Sequence, residues 1–223
     1  MKMVHPELNM QFLFDKSTYC EWIIESQECY LKYLQELMLQ ANGKEGNFLL
    51  SHLEKELDIN KKVEVIIDPI FVDLNDKRIL NKIYEQISHM AYEEENYIRT
   101  KELNQYVFEY LLELENKSEY ILEINEELDL NYLLKSAGVK SESREDNFLE
   151  RLLRYIDLLH VLLKKEIIVL VNIRSYLTDL QMEEFVKMLQ YKEIAVLFIE
   201  NQQKSCVRGT KQYIIDKDQC EIF

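Results

Sequence analysis

Hydrophobic and polar positions first alternate in twos. Leu8, Met10, Phe12 and Phe14 take one side of the opening segment and Glu7, Asn9 and Gln11 the other, which predicts a half-buried strand. Thr18 and Glu21 stand in the T-x-x-E spacing of a capping box, so a helix is expected to open there and run to about Gln40. Ile23, Tyr30, Leu34 and Leu37 would form its buried stripe, and Asn42-Gly43 its end. Residues 48–59 fit a helix or a short hairpin equally. The apolar-rich run Val63–Ile67, stopped by Asp68-Pro69, reads as a buried strand.

From about Asn75 the period lengthens to that of a helix. Ile79, Ile83, Ile87 and Met90, then Leu103, Val107, Tyr110 and Leu114, recur at helical spacing, with no Gly or Pro before Gly138. The pattern predicts long helices packed as an antiparallel pair or coiled-coil leg, its heptads interrupted at Glu93-Glu94-Glu95. Asp146–Leu163 reads as another long helix, apolar round more than half its circumference, and so deeply buried or part of an oligomer core. The chain then returns to strands. EIIVLV (166–171) and EIAVLFIE (193–200) flank a helix that Thr178 and Gln181 would cap, running to about Tyr191. Strand, helix, strand at this spacing is a βαβ unit and implies a parallel sheet. Lys211–Phe223 resembles a closing hairpin with Lys217-Asp218 at its turn. The predicted fold is α/β: a discontinuous parallel-sheet head from residues 1–74 and 164–223, with a helical leg, 75–163, inserted between them.

Composition fits this plan. Of 223 residues 47% are hydrophobic, enough for a sizeable core, and only four Gly and two Pro occur, which disfavours turn-rich sandwiches and propellers. With 27 Lys plus Arg against 41 Asp plus Glu, the net charge of −14 argues on its own against a nucleic-acid partner. Met1–Asp15 lacks a basic start followed by an apolar stretch, and no apolar run approaches the ~20 residues of a membrane helix. The four cysteines include no CxxC pair, so a cytoplasmic protein with reduced thiols and no membrane partner is expected.

A parallel sheet invites a nucleotide, and the nearest phosphate-loop match is Asn42-Gly43-Lys44-Glu45-Gly46. It follows a helix rather than a strand, and Glu45 stands where a hydroxyl should hold magnesium, so a helix C-cap and turn is the better reading. The strand ending at Val171 is followed by Asn172 instead of a carboxylate, and Asp68 before Pro69 is expected to set an exit turn. His5, His52, His89 and His160 show no metal-ligand spacing, and His160 reads as a satisfied structural histidine. No nucleophile elbow appears. Carboxylates crowd 113–129, and Glu115, Glu119 and Glu123 recur every four residues, placing them on one face if that stretch is helical. Such a face is either solvated or a site for a hard cation. Basic residues fall in three groups: Lys204, Arg208 and Lys211 in a stretch without acids between Glu200 and Asp216; Lys135, Lys140 and Arg144; and Lys77, Arg78 and Lys82. Each group fits ordinary surface scatter or a local positive lining, since local field governs contacts at a Debye length of ~8 Å.

Several segments, in this order, resemble one family: VEVIIDPIFVDLN (63–75), LLKSAGVK (133–140), IIVLVN (167–172), YLT (176–178), AVLFIE (195–200) and QYIID (212–216). The chain resembles the Csn-two family, the accessory protein of type II-A CRISPR spacer acquisition. The resemblance covers about Leu128 to the C-terminus and, less closely, Val63–Tyr84. It implies a head similar to P-loop ATPases without nucleotide chemistry, hence no enzyme. It also implies a homotetrameric ring whose basic hole takes linear double-stranded DNA without sequence preference, alongside the CRISPR integrase complex and effector nuclease. Calcium in the leg is implied too, with Glu115, Glu119, Glu123 and Glu126 as candidate ligands. The DNA candidates are Lys135 and Lys140 in the matching LLKSAGVK segment, with Lys204, Arg208 and Lys211. Two rival classes are a nucleotide-dependent phosphotransferase of P-loop type and a coiled-coil protein-interaction scaffold.

Overall fold

The computed structural model describes residues 1–15, 19–141 and 147–222. Two short strands, β1 (Lys2–Val4) and β2 (Phe12–Leu13), precede β3 (Tyr19–Ile24) and helix α1 (Gln27–Ala41). A hairpin of β4 (Leu49–His52) and β5 (Lys55–Leu57) turns through Leu53 and Glu54, both at positive φ as a tight two-residue turn requires. One helical turn, α2 (Ile59–Lys62), then leads into β6 (Val63–Ile66). Next come α3 (Lys77–Ala91), α4 (Glu94–Asn116) and α5 (Leu130–Ser136). The chain closes with α6 (Phe148–Leu163), β7 (Ile167–Val171), α7 (Asp179–Tyr191), β8 (Ala195–Glu200), β9 (Thr210–Ile215) and β10 (Glu221–Ile222).

The fold is α/β with a mixed sheet and long helices. Six strands run in the order β10-β9-β3-β8-β7-β6, all parallel except β10, which returns antiparallel along β9. A four-stranded antiparallel sheet, β2-β1-β4-β5, lies beside it. Between the two sheets and α1 sits a core of Met3, Met10, Phe12, Trp22, Leu37, Phe48, Leu50, Val169 and Leu197. On the other face of the large sheet, α7 brings Phe185 to 6.3 Å from Phe198 between ring centroids. Sheet strands covered on both sides read as continuous apolar runs, and β7 and all of β8 beyond Ala195 are fully buried.

Two compact units result: Met1–Asp73 with Glu145–Phe223, and Leu74–Arg144. The helix read as part of the leg, α6, belongs to the first unit, where Leu152, Ile156 and Leu159 are fully buried and Asp157 pairs with Lys192 at 2.9 Å. Its broad apolar surface is therefore covered within its own unit, and no longer calls for an oligomer. In the second unit α3 is tied to the α5 region by Tyr84 Oη donating to the Val139 carbonyl (2.7 Å) and Ser88 Oγ to Asn131 Oδ1 (3.0 Å).

The opening segment departs from its predicted strand, since only Phe12–Leu13 are laddered, yet Met10, Phe12 and Phe14 are buried while Glu7, Asn9 and Gln11 are exposed. The expected capping box at Thr18 and Glu21 is absent. Thr18 lies outside the described residues, and Glu21 is inside β3, the central strand. The helix begins eight residues later than Tyr19, at Gln27, capped by Ser26 Oγ accepting from Cys29 N (3.4 Å), and it buries Cys29, Tyr33 and Leu37. The box expected at α7 is present, with Thr178 and Gln181 satisfying each other's backbone N–H. None of the four cysteines is in a disulfide. Among the described residues no helix is long and apolar enough to cross a membrane.

Candidate nucleic-acid interface

Strands β3 and β8, and the turn after β7, carry charge into the interior of the first unit. After β7, Asn172 takes a left-handed conformation (φ +53°), and a 3-10 turn, Ile173–Ser175, lowers the Arg174 side chain into the protein. Arg174 is 2% exposed and Glu21 on β3 1%. Arg174 Nη1 donates to Glu21 Oε1 (3.0 Å) and Nη2 to Asp179 Oδ1 (2.8 Å), while both donate to the Ser205 carbonyl at 3.1 Å. The Arg174 backbone N–H donates to Glu200 Oε1 (3.0 Å), and Lys204 Nζ donates to the Arg174 carbonyl. Gln212 Nε2 completes the ring by donating to Glu21 Oε2 (2.8 Å) and to the Lys204 carbonyl (3.3 Å). Burial pushes Glu200 up to about 7, and repulsion from Glu21 adds to this, against the pull of the Arg174 N–H, Arg174 and Lys204. Asp179, at the surface, is held below the usual carboxylate range by hydrogen bonds from Ser205 and Arg174.

This network anchors the segment after β8 that carries three of the candidate DNA contacts. Lys204 is tied down as described. Arg208 is exposed beside Gly209, whose φ of +86° suits glycine and whose carbonyl accepts from Tyr19 N (2.9 Å). Lys211, on β9, lays its ammonium over the ring of Tyr213, 4.7 Å from the centroid. Residues 201–206 are exposed and only Val207 is buried before the strand resumes. The other two candidates belong to the second unit. Lys135, in the last turn of α5, stands 5.4 Å over the Tyr132 ring, and Lys140 is exposed after Gly138. Arg144 lies outside the described residues. In the third basic group, Arg78 pairs with Asp76 (3.3 Å) and Lys82 with Glu85 (2.6 Å), so two of its three charges are locally compensated.

The carboxylates expected on one helical face do not share one. α4 stops at Asn116, where Ser118 Oγ bonds with the backbone of Tyr120 in a local turn that competes with the helix. Glu115 is on the helix and accepts from Leu122 N (3.2 Å), while Glu119, Glu123 and Glu126 lie beyond it, exposed. Among the described residues no group of three or more His, Cys, Asp or Glu side chains is arranged to hold a metal ion. The four carboxylates as placed do not fit the convergent oxygen shell calcium needs.

The sheet end where an α/β fold would cradle phosphate opens on a cavity lined by Glu25, Gln27, Tyr30, Asn201, Gln202 and Lys217. β3 passes to α1 through Glu25 and Ser26 alone, with no glycine loop, and Glu28 adds a negative charge to the first helical turn. Of the N–H groups in the first turn of α1, Cys29 N is taken by Ser26 Oγ. Asn172, at the end of β7, donates from Nδ2 to Tyr30 Oη (2.9 Å). Asn42-Gly43 is a helix end, as its spacing predicts, with Asn42 as C-cap and Gly43 at φ +80°. Asp68 caps the exit turn by accepting from Ile70 N (3.2 Å), and His160 Nδ1 lies 2.8 Å from the Lys165 carbonyl.

Sequence reasoning missed Arg174, Glu21 and Glu200. A signal was present for the two carboxylates: Glu21 interrupts the apolar run YCEWII and Glu200 ends AVLFIE, whereas Arg174 follows IIVLV by three residues, and a charge buried there must find a partner.

A family model described as CRISPR-associated protein (Cas_Csn2) matches residues 40–219. A CRISPR-associated protein Csn2 of Streptococcus agalactiae is 34% identical over 43% of this chain and 45% of its own length. Another, from Enterococcus faecalis, is 28% identical over 39% of this chain and 38% of its own. The chain thus spans less than half the length of the curated relatives it matches. Among solved structures, one described as an inward-facing metal-chelate type ABC transporter superposes with a TM-score of 0.44 at 13% identity, over 96% of this chain and 74% of that one, a likeness too low to bear on the fold. The family match runs from the end of α1 through β9, and on that extent the chain belongs to the CRISPR-associated Csn2 family.

Proposed function

We propose that this protein is a non-enzymatic, duplex-DNA-binding ring protein that serves CRISPR spacer acquisition, in the cytoplasm, beside the integrase complex and the effector nuclease. The observation that carries the reading is the anchored basic segment 204–211. On a chain of net charge −14 it is a stretch without acids, held to the parallel sheet by a buried network and offering Arg208 and Lys211 outward. Lys and Arg so placed contact phosphates, which position a duplex but carry no base information. Lys135 and Lys140 add contacts from the second unit. No catalytic step is assigned: the β3–α1 connection lacks a glycine loop and carries Glu25 and Glu28, which disfavours the rival of a nucleotide-dependent phosphotransferase of P-loop type. Self-assembly is supported by α4, where Ile98, Tyr106 and Tyr110 are more than half exposed. A homotetrameric ring would take linear duplex by its free end.

The test compares linear and covalently closed duplexes of one sequence in a mobility shift, repeated across salt. Linear DNA is expected to bind, closed circles of the same sequence to bind far less, and scrambled linear sequence to bind equally. About −0.9 of slope in log affinity against log salt is expected per phosphate neutralised. Equal binding of circles and linear fragments overturns the threading mechanism. A strong preference for one sequence overturns the reading as a whole.

A further inference from the structure

We propose that Arg174 is the positioning residue of the basic segment 201–209: its buried guanidinium grips the Ser205 carbonyl and so fixes the course of the segment beside Lys204. The segment has neither helix nor strand and buries one side chain, Val207, so its own packing does not hold it. What holds its middle converges on Lys204 and Ser205. Two N–H donors of Arg174 reach the Ser205 carbonyl at 3.1 Å, and the Lys204 ammonium reaches back to the Arg174 carbonyl. Asp179, itself held by Arg174, accepts from Ser205 Oγ at 2.7 Å. The Lys204 ammonium bond uses the main-chain carbonyl of Arg174 and the Gln212 bond the carbonyl of Lys204, so it is the hold on Ser205 that depends on the guanidinium.

Arginine suits this task for geometric reasons. Its planar fork offers donors on two edges, so one side chain bonds a sheet carboxylate, a helix-start carboxylate and a loop carbonyl together. A lysine offers one point charge and cannot span all three. Burying a guanidinium against carboxylates adds little net stability, because desolvation offsets the Coulomb attraction. Its distinct effect is to couple β3, the start of α7 and the segment after β8 in one arrangement.

The proposal rests on the DNA reading for its affinity arm only; its mechanical arm stands apart. Limited trypsin digestion of the full chain would compare cleavage after Lys204 and Arg208 with cleavage elsewhere in the first unit, for the native protein, Arg174→Lys and Arg174→Met. Anisotropy with a short linear duplex would follow each. Cleavage in 201–209 is expected to quicken about tenfold or more in Arg174→Met, with cleavage elsewhere in the first unit unchanged, since loss of an anchor opens a segment locally. Duplex affinity should fall about tenfold with a flatter salt slope, and Arg174→Lys should sit between. Should Arg174→Met unfold, because two carboxylates are left buried, the triple variant Arg174→Met, Glu21→Gln, Glu200→Gln removes those charges and takes its place. Native-like protection of 201–209 in a folded variant lacking Arg174 overturns the proposal. Loosening of 201–209 with no duplex binding even by the native protein upholds the positioning role and overturns the DNA reading.

Discussion

The two units differ in where they put their apolar side chains. In the sheet-containing unit, β7 is buried at every position, and even charged residues of the interior, Arg174, Glu21 and Glu200, find partners inside. In the helical unit, the 23-residue α4 buries only Thr100 and Asn104, and its apolar stripe residues Leu103, Tyr110 and Leu114 are 41%, 56% and 44% exposed. The first unit buries its sheet strands within one chain, whereas α4 of the second presents apolar positions to solvent.

The largest expected effect tests that contrast directly. Leu197→Ala, at the centre of β8 and fully buried, should cost about 2–5 kcal/mol, the lost transfer energy plus the cavity left behind. Leu103→Ala on α4 should cost about 0.5 kcal/mol or less in the monomer and instead weaken self-association. Denaturant unfolding checks the first, and light scattering across concentration the second. Comparable destabilisation by both variants would mean the stripe is packed within its own unit after all.

The second effect probes the charge held inside the sheet-containing unit. Glu200, facing Glu21, Arg174 and Lys204, sits near 7 where the unfolded chain would have 4.5. Between those values the native state binds the extra proton, so stability through this group is greatest at low pH and falls as pH rises to about 7. From pH 5.5 to 8 the loss should be about 2 kcal/mol. Glu200→Gln, which still accepts the Arg174 N–H, should flatten that part of the profile in urea titrations at stepped pH. An unchanged profile would place the titrating group elsewhere.

Much of the first unit was legible because its strands are continuous apolar runs bounded by caps: β6, β7 and β8 fall within or beside the runs read from sequence, and α7 starts at its capping box. β3 was not, because Glu21 looked like a helix-cap residue; its partner Arg174 lies 153 positions away, a pairing that local pattern does not carry. α6 was read as a helix correctly but placed with the leg, since a helix apolar round more than half its circumference does not say what covers it. The end of α4 at Asn116 carries no Gly or Pro to mark it, so the spacing of Glu115, Glu119 and Glu123 implied a face that the backbone does not provide. In the candidate interface, the acid-free stretch was visible as composition, whereas its anchor was visible only in three dimensions.

A smaller effect checks that α7 is a self-contained element. Thr178→Ala removes the Oγ that accepts from Gln181 N at 3.3 Å and frees the reciprocal bond from the Thr178 N–H to Gln181 Oε1. The loss should be about 1 kcal/mol, with Thr178→Ser retaining most of it. Thermal unfolding of the pair decides, and equal loss from both would point to the methyl group rather than the cap.

The smallest effect on stability is expected where the largest on function is sought. Arg208 is exposed, beside a glycine turn and outside the buried network, so Arg208→Ala should leave unfolding within about 0.5 kcal/mol of the native protein. If its guanidinium meets a phosphate in each subunit, the salt slope for linear duplex should flatten by about 0.9 for every subunit that contacts DNA, with no sequence preference appearing. Lys135→Ala makes the matching change in the helical unit. There the ammonium lies over Tyr132, so loss of that contact should also cost less than about 1 kcal/mol. The two variants therefore separate the units by function as cleanly as Leu197→Ala and Leu103→Ala separate them by packing. A slope that changes with Arg208→Ala alone confines the DNA path to the sheet-containing unit, and one that changes with neither removes both basic groups from it.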